Sequence, residues 1–338
     1  MNYVKSIFNA PEEVLALLKS TASDNPVERE QAQFDFAKAI ETPLRQGVLY
    51  GDIVRNVYEP IKFAPGTTIE WPLDLLAPGE EDEFVAYTSP GIGRIGERRV
   101  EGDYVTVPTY EISSSIQWAL RYATEANWNV VARALQVLEA SFVKKINDDG
   151  WHTLLTAAVD RNILVYDADA TAGQFTKRLV SLMKTLMVRQ AGGNSTSIRQ
   201  GALTDLFLSP EAVEDIRNWG VDMVDELTRR EIYMASDDSE KLTRIFGVNL
   251  HPLREFGEGQ EYQLFFTNTL GGTLQAADVE LVVGVDMKNN DSFIMPFKRE
   301  IQIWNDNTMH RRGEEGYYGR GEFGFAVLDN RRVISGSF

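Results

Sequence analysis

The sequence predicts an α+β fold in which an N-terminal arm, an extended β-ribbon, a long helix, an α/β segment and a β-rich return follow one another. Three observations predict it. Pro60, Pro65, Pro72, Pro78, Pro90 and Pro108 rule out a helix across Tyr58–Ser115 and favour edge or ribbon strands. Trp128, Val131, Leu135, Leu138, Phe142 and Ile146 step by threes and fours, the stripe of one long helix. Beyond Leu250 the apolar residues fall into short runs of strand character.

The first element opens at Asn25-Pro26-Val27-Glu28, with an Asn cap, Pro at the first helical position and Glu placed to reach back to the cap amide. Its run to about Ala39 carries Ala32, Phe34, Phe36, Ala37 and Ile40, too ragged a set for a core helix. It is therefore expected to be exposed, or to lie against a partner chain. In the extended stretch, Val57, Ile61 and Phe63 are followed by Thr67, Ile69 and Trp71, an alternating pattern. Phe84–Thr88 and Tyr104–Ile112 are its best strands, and Ser89–Asp103 is a glycine-rich tip between them. A two-stranded ribbon is marginal alone in water, so this one is expected to pack on a neighbour.

The long helix is expected over Asn127–Ile146, with Lys144 and Lys145 near its end, where cations suit the helix dipole. Asp148-Asp149-Gly150 interrupts the pattern and Trp151–Ala158 resumes it, as one kinked helix or two. Phe175–Gln190 is a helix ended by Gly192-Gly193-Asn194, and Leu203–Leu208 is a strand. Ser209-Pro210-Glu211 starts a helix that runs to Trp219, with Gly220 as terminator. After Leu242–Leu250 the expected strands are Tyr262–Phe266, Val279–Val285, Phe293–Met295, Glu300–Trp304 and Phe323–Leu328.

Composition removes several function classes. The chain has 338 residues with 34 basic and 50 acidic side chains, a net charge of −16, which disfavours tight sequence-independent binding to polyphosphate. It has no cysteine, which excludes disulfides, thiolate metal sites and thiol nucleophiles together. Met1–Ala10 does not resemble a signal peptide, and the apolar stretch around Val279–Val285 is far short of the roughly 20 residues of a membrane span. An acidic, soluble chain made inside the cell is expected.

Catalytic motifs fail on context. Gly91-Ile92-Gly93-Arg94-Ile95-Gly96 matches the dinucleotide fingerprint in form, with Glu111 at a distance suited to a ribose. Only Glu97–Gly102 separates it from the next strand, which leaves no room for the helix that must point at the pyrophosphate. Ser141-Phe142-Val143-Lys144 and Ser181-Leu182-Met183-Lys184 have S-x-x-K spacing without its companion motifs, on apolar helix faces. His152, His251 and His310 are scattered and share no metal-ligand spacing. No cofactor or metal is expected. Two charge features stand out instead: Glu80, Glu81, Asp82 and Glu83 at the base of the ribbon, and Arg94, Arg98 and Arg99 near its tip. They read either as two solvated faces or as partners across a subunit boundary, setting register there. Arg311-Arg312-Gly313 to Arg320, with Tyr317 and Tyr318, reads as a turn-rich hairpin end at a subunit contact, or as a stacking loop for nucleic acid.

This order of segments resembles the major capsid proteins of tailed bacteriophages, the Hong Kong ninety-seven type of fold. Tyr58–Ser115 is similar to the extended loop and Asn127–Ile146 to the spine helix of the peripheral domain. Leu203–Trp219 with Ile245-Phe246-Gly247-Val248-Asn249 resembles axial-domain core. Val279–Trp304 and Gly321–Phe338, including Glu322-Phe323-Gly324-Phe325-Ala326-Val327-Leu328, resemble the closing strands. The resemblance implies an N-terminal arm at 1–57, an extended β-ribbon loop at 58–115 and a peripheral domain with spine helix at 116–170. An α/β axial domain at 171–293 and closing strands at 294–338 follow.

It further implies a structural protein without catalysis that self-assembles as hexamers and pentamers into an icosahedral head. Such a head encloses double-stranded DNA, with separate scaffolding, decoration and portal proteins as partners and the virion as location. The ribbon residues Glu80, Glu81, Glu83, Arg94, Arg98, Arg99 and Trp71 become candidate inter-subunit contacts. Lys62 is the only lysine between Gly51 and Ser115 and lies at the ribbon root, so a covalent Lys–Asn cross-link of the kind some members carry is not expected. Only some fifty residues precede the ribbon, so either any scaffold is expected as a separate protein or the chain is already trimmed, and the initiator Met1 argues against trimming. An encapsulin-like compartment shell around a cargo enzyme resembles the same fold, and the helical stretch before Ala39 fits it; the long proline-rich ribbon favours the phage type. A hydrolase built on one of the three histidines is the alternative of a different class.

Overall fold

The computed structural model of the chain describes residues 12–51, 54–72, 104–190, 201–219, 244–276, 279–288, 292–306 and 308–338. The first described helix, α1 (Glu12–Thr21), leads into α2 (Pro26–Gly51). Asn25 Oδ1 accepts the Val27 N–H at 3.2 Å, so the predicted cap is in place. Glu28 instead takes the Ser23 hydroxyl, at 3.3 Å. Contrary to the expectation of an exposed arm, α2 passes through Pro43 to Gly51 and buries Phe36, Ile40, Leu44 and Val48 within its own chain. The stripe steps by four, and stopping at Ala39 shows only half of it.

The extended stretch supplies β1 (Glu59–Lys62), β2 (Glu70–Pro72), β3 (Tyr104–Thr106) and β4 (Tyr110–Ala119). Pro108 splits the expected strand Tyr104–Ile112 into β3 and β4. Strands β2 and β3 pair as a two-stranded ribbon. The expected strand Phe84–Thr88 and tip Ser89–Asp103 lie outside the described residues.

A short α3 (Leu120–Thr124) leads into α4 (Trp128–Asp160), a single helix of 33 residues. Asp148-Asp149-Gly150 does not stop it. A Cβ on Gly150 would sit 2.3 Å from Val54 Cγ1, and the Gly150 carbonyl accepts the Tyr58 hydroxyl at 3.0 Å. The glycine marks a close approach of chains, not a terminus.

Next come β5 (Leu164–Tyr166), α5 (Lys177–Gln190), β6 (Asp205–Leu208) and α6 (Pro210–Asn218). Ser209 Oγ accepts the Ala212 N–H at 3.1 Å with Pro210 behind it, the cap that the sequence predicts. Strands β7 (Arg244–Ile245) and β8 (Val248–Pro252) form a hairpin whose two turn residues, Phe246 and Gly247, both have positive φ.

The expected strand Tyr262–Phe266 is helical: α7 (Glu261–Leu264) continues into a π turn over Phe265–Thr269. Its buried residues, Tyr262, Gln263 and Phe266, fall at helical spacing, and a five-residue apolar run carries too few periods to separate the two forms. Gln263 uses its whole amide, donating to Val279 O at 2.8 Å and accepting from Leu281 N at 3.1 Å.

Strands β9 (Leu281–Val285), β10 (Phe293–Asp306), β11 (Glu314–Phe323), β12 (Ala326–Val327) and β13 (Val333–Ser337) complete the chain. Phe293–Met295 and Glu300–Trp304, expected as two strands, are one strand with irregular pairing to β11 around Arg299. The expected Phe323–Leu328 strand is interrupted between β11 and β12.

The chain divides into two compact units. The first comprises Met1–Ile69, Thr106–Gly150 and Ile294–Ala326. Its sheet runs β1-β10-β11-β4, with β1 parallel to β10 and the other pairs antiparallel. The core lies where Phe36 of α2 meets Trp118 and Tyr317, with ring centroids 6.4 and 5.4 Å away. This corrects the reading of residues 311–320 as a hairpin loop: from Glu314 on they form an inner strand, and Tyr317 is fully buried. A Cβ on Gly319 would lie 2.9 Å from the Phe142 ring of α4, so this glycine lets helix and sheet approach.

The second unit comprises Glu70–Val105, Trp151–Phe293 and Val327–Phe338. Its six-stranded sheet has the order β5-β13-β9-β6-β8-β7. On one face Leu206, Leu208, Val282 and Ile334 pack with Leu179 and Met183 of α5 and Ile216 of α6. On the other, Trp151 meets Phe207, Phe256 and Tyr262 at 4.8, 5.5 and 5.8 Å. Strands β6, β9 and β13 are buried throughout, and in β9 this shows in the sequence as a continuous apolar run.

Candidate subunit-contact surfaces

The described residues that chemistry would use are engaged in structure; the His310 side chain and the Gly91–Gly96 run lie outside the described residues. The His152 ring stacks on Phe265 at 3.8 Å. His251 Nε2 lies 2.7 Å from Asp205 Oδ1, with its ring against Phe207 at 5.0 Å. Burial raises the pKa of the Asp205 carboxyl, but hydrogen bonds from His251, Thr204 and Asn249 outweigh it and hold the group below its usual range. Ser141 donates to Leu138 O at 2.7 Å and accepts from the Ser114 hydroxyl at 2.7 Å, and Lys184 donates to Phe246 O at 2.7 Å. One residue of each S-x-x-K pair is thus held in a structural hydrogen bond. Glu111, the would-be ribose ligand, faces Arg320 at 3.4 Å. Among the described residues no group of three His, Asp or Glu side chains is placed to hold a metal ion. The described helices include none long and apolar enough to cross a membrane.

One cleft, of about 400 Å³, lies beside the stacked Phe175 and Trp219 rings. Two of its polar groups brace local backbone: Asp215 Oδ2 accepts from Phe175 N at 2.8 Å and Trp219 Nε1 donates to Phe175 O at 3.2 Å. Such a cleft offers shape without a converging set of reactive groups.

The remaining candidates are surfaces. Of the predicted contact residues, Glu80, Glu81, Glu83, Arg94, Arg98 and Arg99 lie outside the described residues. Trp71 stands half-buried in β2 of the ribbon, and Tyr104 of β3 is 68% exposed. Helix α2 presents Val27, 75% exposed, and Phe34, over which Lys38 Nζ lies 4.2 Å from the ring centroid. Trp304 of β10 stacks on Tyr318 of β11 at 5.7 Å, and the Arg320 guanidinium covers Tyr318 at 5.3 Å. Around them carboxylates are matched by cations: Arg320 with Glu111, and Lys298 with Glu322 at 3.5 Å.

Two buried polar centres were not anticipated from sequence. Glu315 accepts the Tyr317 hydroxyl at 2.5 Å and the Thr21 hydroxyl at 3.0 Å, and burial pushes its carboxyl above the usual range. Arg332 meets Asp286 at 2.5 Å, with side chains 2% and 0% exposed. The period-two burial of Glu315 and Tyr317 could have located the first; the second joins positions 46 apart and leaves no local trace.

No protein-family model and no curated protein matches the chain. Solved structures do. The cyanophage Pam1 capsid subunit superposes with a TM-score of 0.57 at 14% identity, covering 83% of this chain and 88% of that one. The Microbacterium phage Oxtober96 chain gives 0.56 at 8% identity, over 85% and 90%. A chain of the capsid of a native GTA particle gives 0.52 at 13% identity, over 84% and 89%. The α+β architecture, its two sheets and its long helix are therefore those of the Hong Kong ninety-seven type capsid fold, and that is the fold of this chain.

Proposed function

We propose that this chain is the structural subunit of a phage-type head, self-assembling as hexamers and pentamers into a closed icosahedral shell around double-stranded DNA. The observation that carries the reading is the superposition on capsid chains of a cyanophage and of a GTA particle over more than four fifths of this chain and of theirs. The engagement of every described histidine side chain in packing or hydrogen bonding favours a structural over a catalytic role. A net charge of −16 suits the inner wall of a DNA container, because it keeps the genome from adhering.

In this reading 1–57 is the arm, 58–115 the extended loop, 116–170 the peripheral domain, 171–293 the axial domain and 294–338 the closing strands. The loop residues Trp71, Glu80, Glu81, Glu83, Arg94, Arg98 and Arg99 meet a neighbouring subunit. Scaffolding, decoration and portal proteins are separate partners, and the shell is a virion component assembled in the host cytoplasm. Electron microscopy of the purified chain, expressed alone and with its neighbouring genes, tests the proposal. Closed particles tens of nanometres across, or free capsomers, are expected, with nuclease-protected DNA in the filled ones. A strict monomer or dimer under both conditions overturns it, and particles that hold a protein cargo instead make it a compartment shell.

A further inference from the structure

The sheet of the first unit has two unequal edges. Its β1 edge is four residues long and carries Pro60 and Lys62, devices that stop a strand from recruiting another chain. Its β4 edge runs ten residues from Tyr110 to Ala119, with no proline, no lysine and an unbroken register to β11. Among the described residues no strand pairs with its outer side.

The direction of each backbone group follows from one hydrogen bond. Leu120 N–H donates to Gly313 O at 2.8 Å, one step beyond the Ala119–Glu314 pair of the same ladder. Backbone groups alternate sides along an antiparallel strand. Trp118, Ile116, Ser114 and Ile112 therefore turn N–H and C=O toward β11, and Gln117, Ser115 and Ser113 turn theirs away. The side chains of those last three are exposed, uncharged and small or slender.

From this we infer that the outer edge of β4 is a docking strand, which pairs through the backbone of Ser113, Ser115 and Gln117 with an extended segment of a second copy of this chain. The inference rests on the shell reading and names the surface that it uses. Backbone pairing supplies affinity without requiring particular side chains, as in other strand-addition interfaces. Two copies of a chain with net charge −16 repel over most of their surfaces, and the outward positions 113, 115 and 117 of this edge carry no charge to add to that repulsion. A ten-residue edge without proline or lysine, charged at Glu111 alone, in a chain that already guards its β1 edge indicates an edge kept open for use.

Hydrogen exchange on the full chain, compared between assembled particles and dissociated subunits, tests this. The amides of Ser113, Ser115 and Gln117 should exchange about a hundredfold more slowly in particles than in free subunits. Those of Ser114 and Ile116, bonded to β11, should be protected in both. Equal protection of the outward amides in both states means that the chain's own residues cover the edge, which overturns the inference. Equal exposure in both overturns it as well. Ser115→Pro removes one outward N–H and no bond to β11, so it should leave a folded subunit and cut particle yield about tenfold or more, with Ser115→Ala assembling normally. Particles from Ser115→Pro at parental yield refute the docking strand while leaving the shell reading intact. Should the parent chain form no particles, the shell reading falls. Outward-amide protection that rises with protein concentration then still supports the edge, and protection independent of concentration removes it.

Discussion

Replacing Arg332 by methionine isolates the buried ion pair of the second unit. Arg332 Nη1 lies 2.5 Å from Asp286 Oδ2, and the two side chains are 2% and 0% exposed. The Asp286 carboxylate also accepts Ala202 N and Lys288 N, each at 3.0 Å, while its own N–H donates to Arg332 O at 2.9 Å. One side-chain pair thus joins the end of β9, the residue run before β6 and the start of β13. Methionine matches the arginine stem in volume but leaves a buried carboxylate with two backbone donors and no cation. Removing one partner of such a pair costs about 3–5 kcal/mol, because the remaining charge stays out of water. With a urea slope of about 2–3 kcal/mol per molar, the unfolding midpoint should fall by about 1–2.5 M. The assay is urea unfolding of the unassembled subunit followed by circular dichroism. Asp329→Asn provides the contrast: Asp329 lies 3.7 Å from Arg332 Nε and keeps 16% exposure, so it should cost less than about 1.5 kcal/mol. A loss for Arg332→Met no larger than that of Asp329→Asn would refute the reasoning.

Gly150→Ala brings a methyl to 2.3 Å from Val54, so overpacking of about 1–3 kcal/mol should exceed the roughly 1 kcal/mol gained in helix propensity. The net loss should shrink when Val54→Ala is added, and additivity of the two changes in unfolding experiments would show that the contact is not limiting. Burial raises the Glu139 carboxyl above its usual pKa, so the folded state holds that proton more tightly than the unfolded state. Its contribution is present below the ordinary carboxylate range and is lost as pH rises through the raised value. Glu139→Gln should therefore flatten the stability profile there, and an unaltered profile excludes Glu139 as its source. Replacing Arg98 and Arg99 by Glu should weaken assembly more at low salt than at high salt, as measured by particle yield; equal yields at every salt concentration favour solvated faces over a charged contact.

Local signals were legible wherever a few neighbouring residues decide the outcome. Asn25-Pro26 and Ser209-Pro210 announced helix starts that the structure keeps, because a cap is a contact between adjacent residues. The stripe from Trp128 to Ile146 announced α4, because one helix face repeats over many turns. Tyr262–Phe266 failed because five apolar residues fit either period, and the choice was made by Gln263 bridging Val279 and Leu281 from afar. The glycines of residues 313–321 failed for a related reason. Glycine signals both a turn and a close approach, and only the position of Phe142 over Gly319 distinguishes them.

Sequence alone determined the segment order, the strand and helix character of most elements, and the absence of thiol chemistry and of any catalytic signature in context. Those properties follow from local periodicity and composition. Tertiary structure decided that α2 buries its apolar stripe within its own chain, that Glu314–Phe323 is an inner strand, that Arg332 finds Asp286, and that, among the described residues, the β4 edge pairs with no further strand. Each depends on which distant residues come to lie side by side, and a hydrophobic or charged residue carries no record of its partner until packing supplies one.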